Sequence, residues 1–94
     1  MNDWIVDAGA SNHMTGSLNG FFKYKQCDKA IKVTMADGNI SFAKGEGSIC
    51  LADLRLNSVL YVPDLRCNLL SISKLTKDLN CKVPFFQLIV YFRT

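Results

Sequence analysis

The stretch that decides the fold is Ile31-Lys32-Val33-Thr34-Met35-Ala36-Asp37-Gly38-Asn39-Ile40-Ser41-Phe42-Ala43. Apolar and polar residues alternate on both sides of its centre, and a period of two is that of a half-buried β-strand. Glycine adopts positive φ without steric cost, so Gly38 suits the tight turn of a hairpin. The stretch therefore predicts two antiparallel strands, at residues 31–35 and 40–43, joined through Asp37 and Gly38.

The same short period recurs along most of the chain. Further strands are predicted in three apolar stretches, at residues 4–6, 48–51 and 54–62. Gly45 and Gly47 lack the third glycine and the following helix of a phosphate-binding loop. We therefore interpret them as the site of a bulge or bend within a strand.

Two segments depart from the strand period. Residues 11–30 are polar without a clear repeat, which predicts irregular structure around an aromatic cluster of Phe21, Phe22 and Tyr24. Apolar residues at positions 69, 72, 75 and 79 predict one short helix over 68–79, with Asn68 as its N-cap and Asn80 at its exit. Short strands and one late helix predict a mainly β fold, a small closed or nearly closed barrel.

Composition limits the chain to one small domain, residues 1–94. Hydrophobic residues make up 49% of the chain and charged residues 20%, which is typical of a globular protein rather than a disordered one. The net charge of +3 is small and spread along the sequence, so we expect no direct nucleic-acid partner. A signal-peptide pattern and a membrane-length apolar run are missing, so we expect an intracellular, cytoplasmic protein without membrane contact.

The cysteines do not predict a metal site. They lie at positions 27, 50, 67 and 81 without a C-x-x-C pair, and His13 is the only histidine. Four-ligand zinc sites need closer spacing, so we expect no metal, no cofactor and buried thiols. Residues 85–92 are uncharged and rich in β-formers, which predicts an aggregation-prone strand if this segment is unpaired.

Asp7 is the clearest candidate for a catalytic residue in this sequence. It ends an apolar strand and precedes Ala8 and Gly9, which is the setting of an aspartic-protease carboxylate. That chemistry needs two carboxylates sharing one proton, so that one acts as base towards water and the other as acid. Taken alone, the triplet is common by chance and is more typical of an aspartate that bonds its own backbone at a strand-to-turn corner.

Four ordered motifs carry a resemblance to a known family. Residues 4–16 resemble the start of the protease region in Pol polyproteins of copia-type LTR retrotransposons, W-[IL]-[IVL]-D-S-G-A-[ST]-x-H-[MI]-[TC]. Residues 35–38 resemble its A-D-G turn and residues 45–49 its G-x-G-x-[IV] segment. Residues 59–65 resemble its V-L-Y-V-P-x-L block, and residues 68–75 resemble its N-L-L-S-V-x-x-L block. The resemblance covers residues 4 to about 83 and leaves 84–94 as a divergent tail.

The resemblance implies a retropepsin-like (acid-protease) β-barrel that works as a homodimer. Each chain would lend Asp7 to a shared dyad, with Ala8 and Gly9 in the active-site loop. Asp37 and Gly38 would form a flap over a polyprotein peptide substrate. The late helix would back the loop, and His13 would be a structural residue of that loop. In an intact element such a protein would lie within virus-like particles.

Two departures from the family pattern lower the expected activity. Ala8 stands where the family has serine, and a lost hydrogen bond to a buried partner costs about 1–3 kcal/mol. The chain also ends without the segments that usually follow, and we expect a truncated, weak or inactive copy. The alternative is a non-catalytic β-barrel that binds a peptide or protein. Other polar and aromatic residues are expected as caps, turns, core or dimer anchors: Ser11, Ser71, Ser73, Trp4, Phe85 and Phe86.

Overall fold

The chain folds into one curled sheet of six strands with a single short helix. A computed structural model describes residues 4–7, 9–35, 37–51 and 53–78, and the structural statements below concern these residues. The elements in chain order are β1 (Trp4–Asp7), β2 (Met14–Thr15), β3 (Phe21–Thr34), β4 (Ile40–Leu51), β5 (Leu54–Tyr61), β6 (Asn68–Ser71) and α1 (Ile72–Asp78). The predicted mainly β fold with one late helix is confirmed.

The strand order in the sheet is β1-β6-β2-β5-β4-β3. β3, β4 and β5 form an antiparallel meander, whereas β1 runs parallel to β6 and β2 runs parallel to β5. The parallel pairing of β1 with β6 sets Asp7 opposite Ser71, although the two residues are far apart in sequence. This order makes β1 and β3 the two edges of the sheet among the described residues.

The predicted hairpin is confirmed at the tip of β3 and β4. Thr34 pairs with Ile40, and the turn is closed by hydrogen bonds from Met35 N–H to the Asn39 carbonyl (2.8 Å) and from Gly38 N–H to the Met35 carbonyl (2.9 Å). Gly38 has φ of 89°, a conformation that glycine adopts without strain. The Asp37 carboxylate accepts hydrogen bonds from the Asn39 backbone and side-chain N–H groups, which stiffens the turn.

The prediction of irregular structure over residues 11–30 holds for residues 11–13 and 16–20 and is wrong for the rest. Residues 14–15 form β2, and the 14-residue β3 begins at Phe21. β3 is an edge strand exposed over most of its length, so burial imposes no alternation on its sequence. A register shift between Gln26 and Ile31 breaks the period further. Exposed lysines distinguish this edge: Lys23, Lys25, Lys29 and Lys32.

The predicted aromatic cluster forms with a change of members. Phe21 packs on Tyr24 with ring centroids 5.2 Å apart, and Tyr24 contacts Tyr61 edge-on at 6.0 Å. Burial raises the pKa of the Tyr24 phenol above its usual value, and Cys27 and Tyr61 raise it further. Phe22 points away, is half exposed, and lies 5.1 Å from the Arg55 guanidinium carbon.

The predicted helix over 68–79 begins too early. Residues 68–71 form β6, and α1 begins only at Ile72. Leu70 belongs to one hydrophobic cluster and Leu69 packs against the other, which is the alternation of a strand. Asn68 is therefore not an N-cap; it is buried and its Oδ1 accepts a hydrogen bond from the Thr15 hydroxyl. The predicted exit at Asn80 lies outside the described residues.

The sheet is buried on two faces rather than one. The first cluster contains Trp4, Leu70 and Leu75 of the helix, which confirms Trp4 as a core residue. The second cluster contains Met14 and Leu60, without a helix. β5 and β6 supply neighbouring residues to opposite clusters, as strands buried on both sides do. One face is therefore covered by α1, while the other is free to line a groove.

A bulge marks the predicted bend at Gly47. The register of β4 against β5 shifts between Gly47 and Ile49, opposite Asn57 and Ser58. Ser58 has φ of 56°, the left-handed region, although it carries a side chain. The interpretation of Gly45 and Gly47 as a bulge site is confirmed at Gly47.

Replacing Ser58 should stabilise the fold. Ser58→Gly relieves the left-handed strain, partly offset by the greater chain entropy of glycine, so we expect a gain of about 0.5–1 kcal/mol in the free energy of unfolding. Urea denaturation measures it. The control is Asn57→Gly at the adjacent position, where φ is not positive and the substitution should lower stability. A loss of stability in both variants would contradict the assigned strain.

The expectation of buried thiols is wrong for the described cysteines. Cys50 is exposed, and Cys27 and Cys67 are half-buried. Cys50 pairs with the exposed Arg55 on the outward side of β4, so an apolar strand position does not imply a core position here. Cys81 lies outside the described residues, as does the tail 84–94. In the described part of the chain, no helix is long and apolar enough to span a membrane.

Candidate functional site

Asp7 lies at the end of edge strand β1, where the chain turns away from the sheet. Its Oδ1 accepts a hydrogen bond from the Gly9 backbone N–H at 2.8 Å. Asp7 thus bonds its own backbone at a strand-to-turn corner, as the triplet suggests when it is taken alone. It also fixes the carboxylate in one orientation, which a catalytic carboxylate requires.

Serine hydroxyls at the start of α1 hold the loop that follows Asp7. The Ser71 hydroxyl donates to the Ala10 carbonyl at 2.7 Å, and the Ser73 hydroxyl makes a longer contact with the same oxygen at 3.4 Å. Ser71 Oγ also accepts from the Lys74 backbone N–H at 3.2 Å, so Ser71 is the N-cap of α1. The predicted cap or turn role of Ser71 is confirmed.

His13 joins the loop to β6 from inside the protein. It is fully buried, and its Nδ1 accepts a hydrogen bond from the Ser71 backbone N–H at 3.0 Å. Because Nδ1 accepts, the imidazole is neutral with its proton on Nε2. The His13 carbonyl accepts from the Leu60 N–H at 2.9 Å, which ties the loop to β5 as well. The geometry supports the structural role that the resemblance implies for His13.

A groove of about 740 Å³ separates the Asp7 loop from the tip of the β3–β4 hairpin. Its floor is apolar and belongs to the helix-free face of the sheet. The lining residues are Asp7, Gly9, Ala10, Ser11, Asn12, Met14, Ile31, Lys32, Val33, Thr34, Met35, Asp37, Leu60, Leu65, Cys67 and Leu69. The fold thus brings Asp7, Gly9 and Asp37, predicted from separate motifs, to one groove, and Gly38 lies at the tip of the same hairpin.

The groove contains groups that sequence patterns do not indicate. Lys32 and Cys67 line it, and Lys32 places a cation in the same groove as two carboxylates. No motif contains these two residues, because they reach the groove only through the curl of β3 and the approach of the segment before β6. Among the described residues no group of three or more histidine, cysteine or acidic side chains is placed to hold a metal ion.

Comparison with known proteins gives one consistent result. The family described as "Pol polyprotein, beta-barrel domain" matches residues 4–79. The chain is 34% identical over 89 residues to the retrovirus-related Pol polyprotein from transposon RE2 of Arabidopsis thaliana, covering 90% of this chain and 6% of that protein. No solved structure matches it.

Two further relatives come from other organisms. The Pol polyprotein from transposon TNT 1-94 of Nicotiana tabacum is 38% identical over 84 residues, covering 82% of this chain and 6% of that protein. The putative transposon Ty5-1 protein YCL075W of Saccharomyces cerevisiae is 31% identical over 71 residues, covering 76% of this chain and 48% of that protein. The chain thus corresponds to a small part of the longer relatives. With its motifs, its mainly β sheet and these matches, the chain belongs to the Pol polyprotein beta-barrel domain family of copia-type transposons.

Proposed function

We propose that this domain is a retropepsin-like aspartic-protease unit of a transposon Pol polyprotein, acting as a homodimer through Asp7. Its activity is weak or lost because residue 8 is alanine. One observation carries the proposal: the oriented Asp7 carboxylate and the tip of the β3–β4 hairpin line the same groove. A peptide in this groove would lie between a carboxylate and a hairpin flap formed by Asp37 and Gly38.

The chemistry requires a second copy of the chain. Two aspartates about 3 Å apart share one proton, because both cannot be ionised at that distance. The ionised carboxylate takes a proton from water, which attacks the peptide carbonyl, while the protonated one donates to the carbonyl oxygen. This sequence offers one such aspartate, so the dyad is completed by Asp7 of a second copy.

The surroundings of Asp7 support the approach of that copy. Asp7 ends an edge strand that has no neighbour on its outer side among the described residues. A Cβ added to Gly9 would contact just one atom of the described chain within 4 Å, Asp7 Oδ1 at an ordinary 3.5 Å. The described residues therefore leave room beside Gly9 for a second backbone.

A cleavage assay with paired variants tests the proposal. The probe is fluorescently labelled, unfolded casein at mildly acidic pH, with sedimentation run at the same protein concentrations. We expect little cleavage by the native chain and about tenfold or more from Ala8→Ser, since restoring one hydrogen bond is worth about 1–3 kcal/mol. Adding Asp7→Asn to Ala8→Ser should abolish cleavage without changing the sedimentation coefficient.

Three results would contradict the protease assignment. One is an Ala8→Ser protein that sediments as a dimer and leaves casein intact. Another is cleavage that persists in Asp7→Asn, because the dyad would then not be its source. The third is strictly monomeric sedimentation at every concentration tested, which would remove the dyad altogether.

The apolar floor of the groove favours one second candidate, a non-catalytic module that binds a peptide. Met14, Leu60 and Leu69 form a surface suited to apolar side chains of an extended chain. Fluorescence polarisation with labelled peptides prepared from casein with trypsin distinguishes the two candidates. Binding that is equal in the native chain and in Asp7→Asn, without cleavage by Ala8→Ser, would favour the module.

A further inference from the structure

Ser71 contacts the Asp7 loop from two directions. The pairing of β1 with β6 sets the Asp7 backbone opposite Ser71. Three residues later, the Ala10 carbonyl accepts the Ser71 hydroxyl proton at 2.7 Å. Ser71 is thus the register partner of Asp7 in the sheet and is hydrogen-bonded to Ala10, just after the Asp7 corner.

Ser71 is itself held rigidly. It is fully buried, its backbone N–H is bonded to His13 Nδ1 at 3.0 Å, and its Oγ accepts the Lys74 N–H at 3.2 Å. The hydroxyl has one proton, which the shorter contact assigns to Ala10, so in the 3.2 Å contact with Ser73 Oγ the proton comes from Ser73. Every hydrogen-bonding direction of the hydroxyl is therefore used.

We propose that Ser71 is a positioning residue for the Asp7 loop, fixing through the Ala10 carbonyl the direction in which the Asp7 carboxylate meets the groove. The proposal rests on the proposed function for its catalytic meaning, while its geometric content concerns a single chain. Residue 8 is alanine and brings no hydroxyl of its own. The Ser71 hydroxyl is therefore the side-chain donor to the Ala10 carbonyl at 2.7 Å, since the Ser73 proton is directed to Ser71 Oγ and Ser73 Oγ lies 3.4 Å from that carbonyl.

NMR relaxation of backbone amides tests the proposal in the full chain. In Ser71→Ala we expect the order parameter of the Gly9 amide to fall from about 0.85, that of rigid backbone, to below about 0.6. Amides of β4 and β5 should keep their native values. Ser71→Cys keeps the side-chain volume with a weaker donor, and it replaces Ser71→Ala if the alanine variant does not fold. In Ser71→Cys the Gly9 order parameter should also fall, by a smaller amount.

Two controls separate positioning from general destabilisation. Lys77→Gly weakens α1 without touching the loop, and Ser17→Ala removes the hydroxyl that accepts the Asn19 N–H in another loop. Both should leave the Gly9 order parameter unchanged. A native-like Gly9 amide in folded Ser71→Ala, or equal loosening in Lys77→Gly, would overturn the positioning role.

The cleavage assay distinguishes this proposal from the proposed function. If Ala8→Ser cleaves casein, adding Ser71→Ala should lower kcat at least tenfold with KM unchanged, since the groove remains intact. If Ala8→Ser is inactive as a dimer, the protease assignment fails, while the NMR result still decides whether Ser71 holds the loop. Active Ala8→Ser that is indifferent to Ser71→Ala would overturn the positioning role alone.

Discussion

His13→Ala should destabilise the domain by about 4 kcal/mol, a large share of the total stability of a chain this size. Truncating a fully buried large side chain leaves a cavity that typically costs about 2–5 kcal/mol. The substitution also leaves the buried Ser71 N–H without the Nδ1 acceptor that lies 3.0 Å away. Urea denaturation followed by circular dichroism measures the loss.

Two matched variants divide the effect of His13 into its parts. His13→Leu fills most of the volume but cannot accept the Ser71 N–H. His13→Asn is smaller but can place Oδ1 near the position of Nδ1. We expect the asparagine variant to be more stable than the alanine variant by about 1–2 kcal/mol. Alanine within 1 kcal/mol of native stability would show that the buried imidazole is not structural.

Gly47→Ala should destabilise the fold by about 3 kcal/mol, because the paired strand β3 lies too close to Gly47 to leave room for a methyl group. A Cβ at Gly47 would lie 2.9 Å from the backbone carbonyl carbon of Lys23 and 2.8 Å from Phe21 Cδ1, and closer still to the Lys23 carbonyl oxygen. Backbone atoms cannot rotate away as a side chain can. The strands must separate at the bulge, and the midpoint of urea denaturation should fall accordingly.

Gly20→Ala is the matched control for Gly47→Ala. A Cβ at Gly20 would meet Ile49 side-chain atoms at 3.7 and 3.8 Å, which are ordinary contacts. The control should therefore be neutral or slightly stabilising, since alanine reduces the entropy of the unfolded chain. Equal losses at the two positions would indicate a general effect of the substitution rather than close approach of β3.

The sequence predicted those strands that carry an apolar run or an apolar–polar alternation, and missed those formed by pairing alone. The 31–43 hairpin was predictable because a turn signal separates two alternating runs. β3 before residue 31 was not, since an exposed edge strand receives its structure from hydrogen bonds to β4 rather than from an apolar face. The helix prediction failed at residues 68–71 because both faces of this strand are buried. Leu69 and Leu70 are therefore both apolar, and the sequence lacks the apolar–polar alternation that indicates a strand.

The sequence predicted the chemically active residues of the candidate site but not the residues that hold them in place. Asp7, Gly9 and Asp37 belong to recognisable motifs, and the fold brings them to one groove. The bonds of Ser71 to Ala10 and to His13 span 61 and 58 residues of sequence. Such partners have no local signature, because parallel pairing of β1 and β6 creates their proximity.

The two edges of the sheet have different consequences for assembly. β3 exposes lysines along its length, and charged edges repel further strands, whereas β1 carries only Trp4, Ile5 and Val6 before Asp7. Growth into a fibre needs two pairing edges on every copy. Because lysines discourage pairing at β3, each copy has one edge, β1, left to pair with the same edge of another copy. If copies pair through β1 of the described chain, we therefore expect that pairing to join two copies and to stop there.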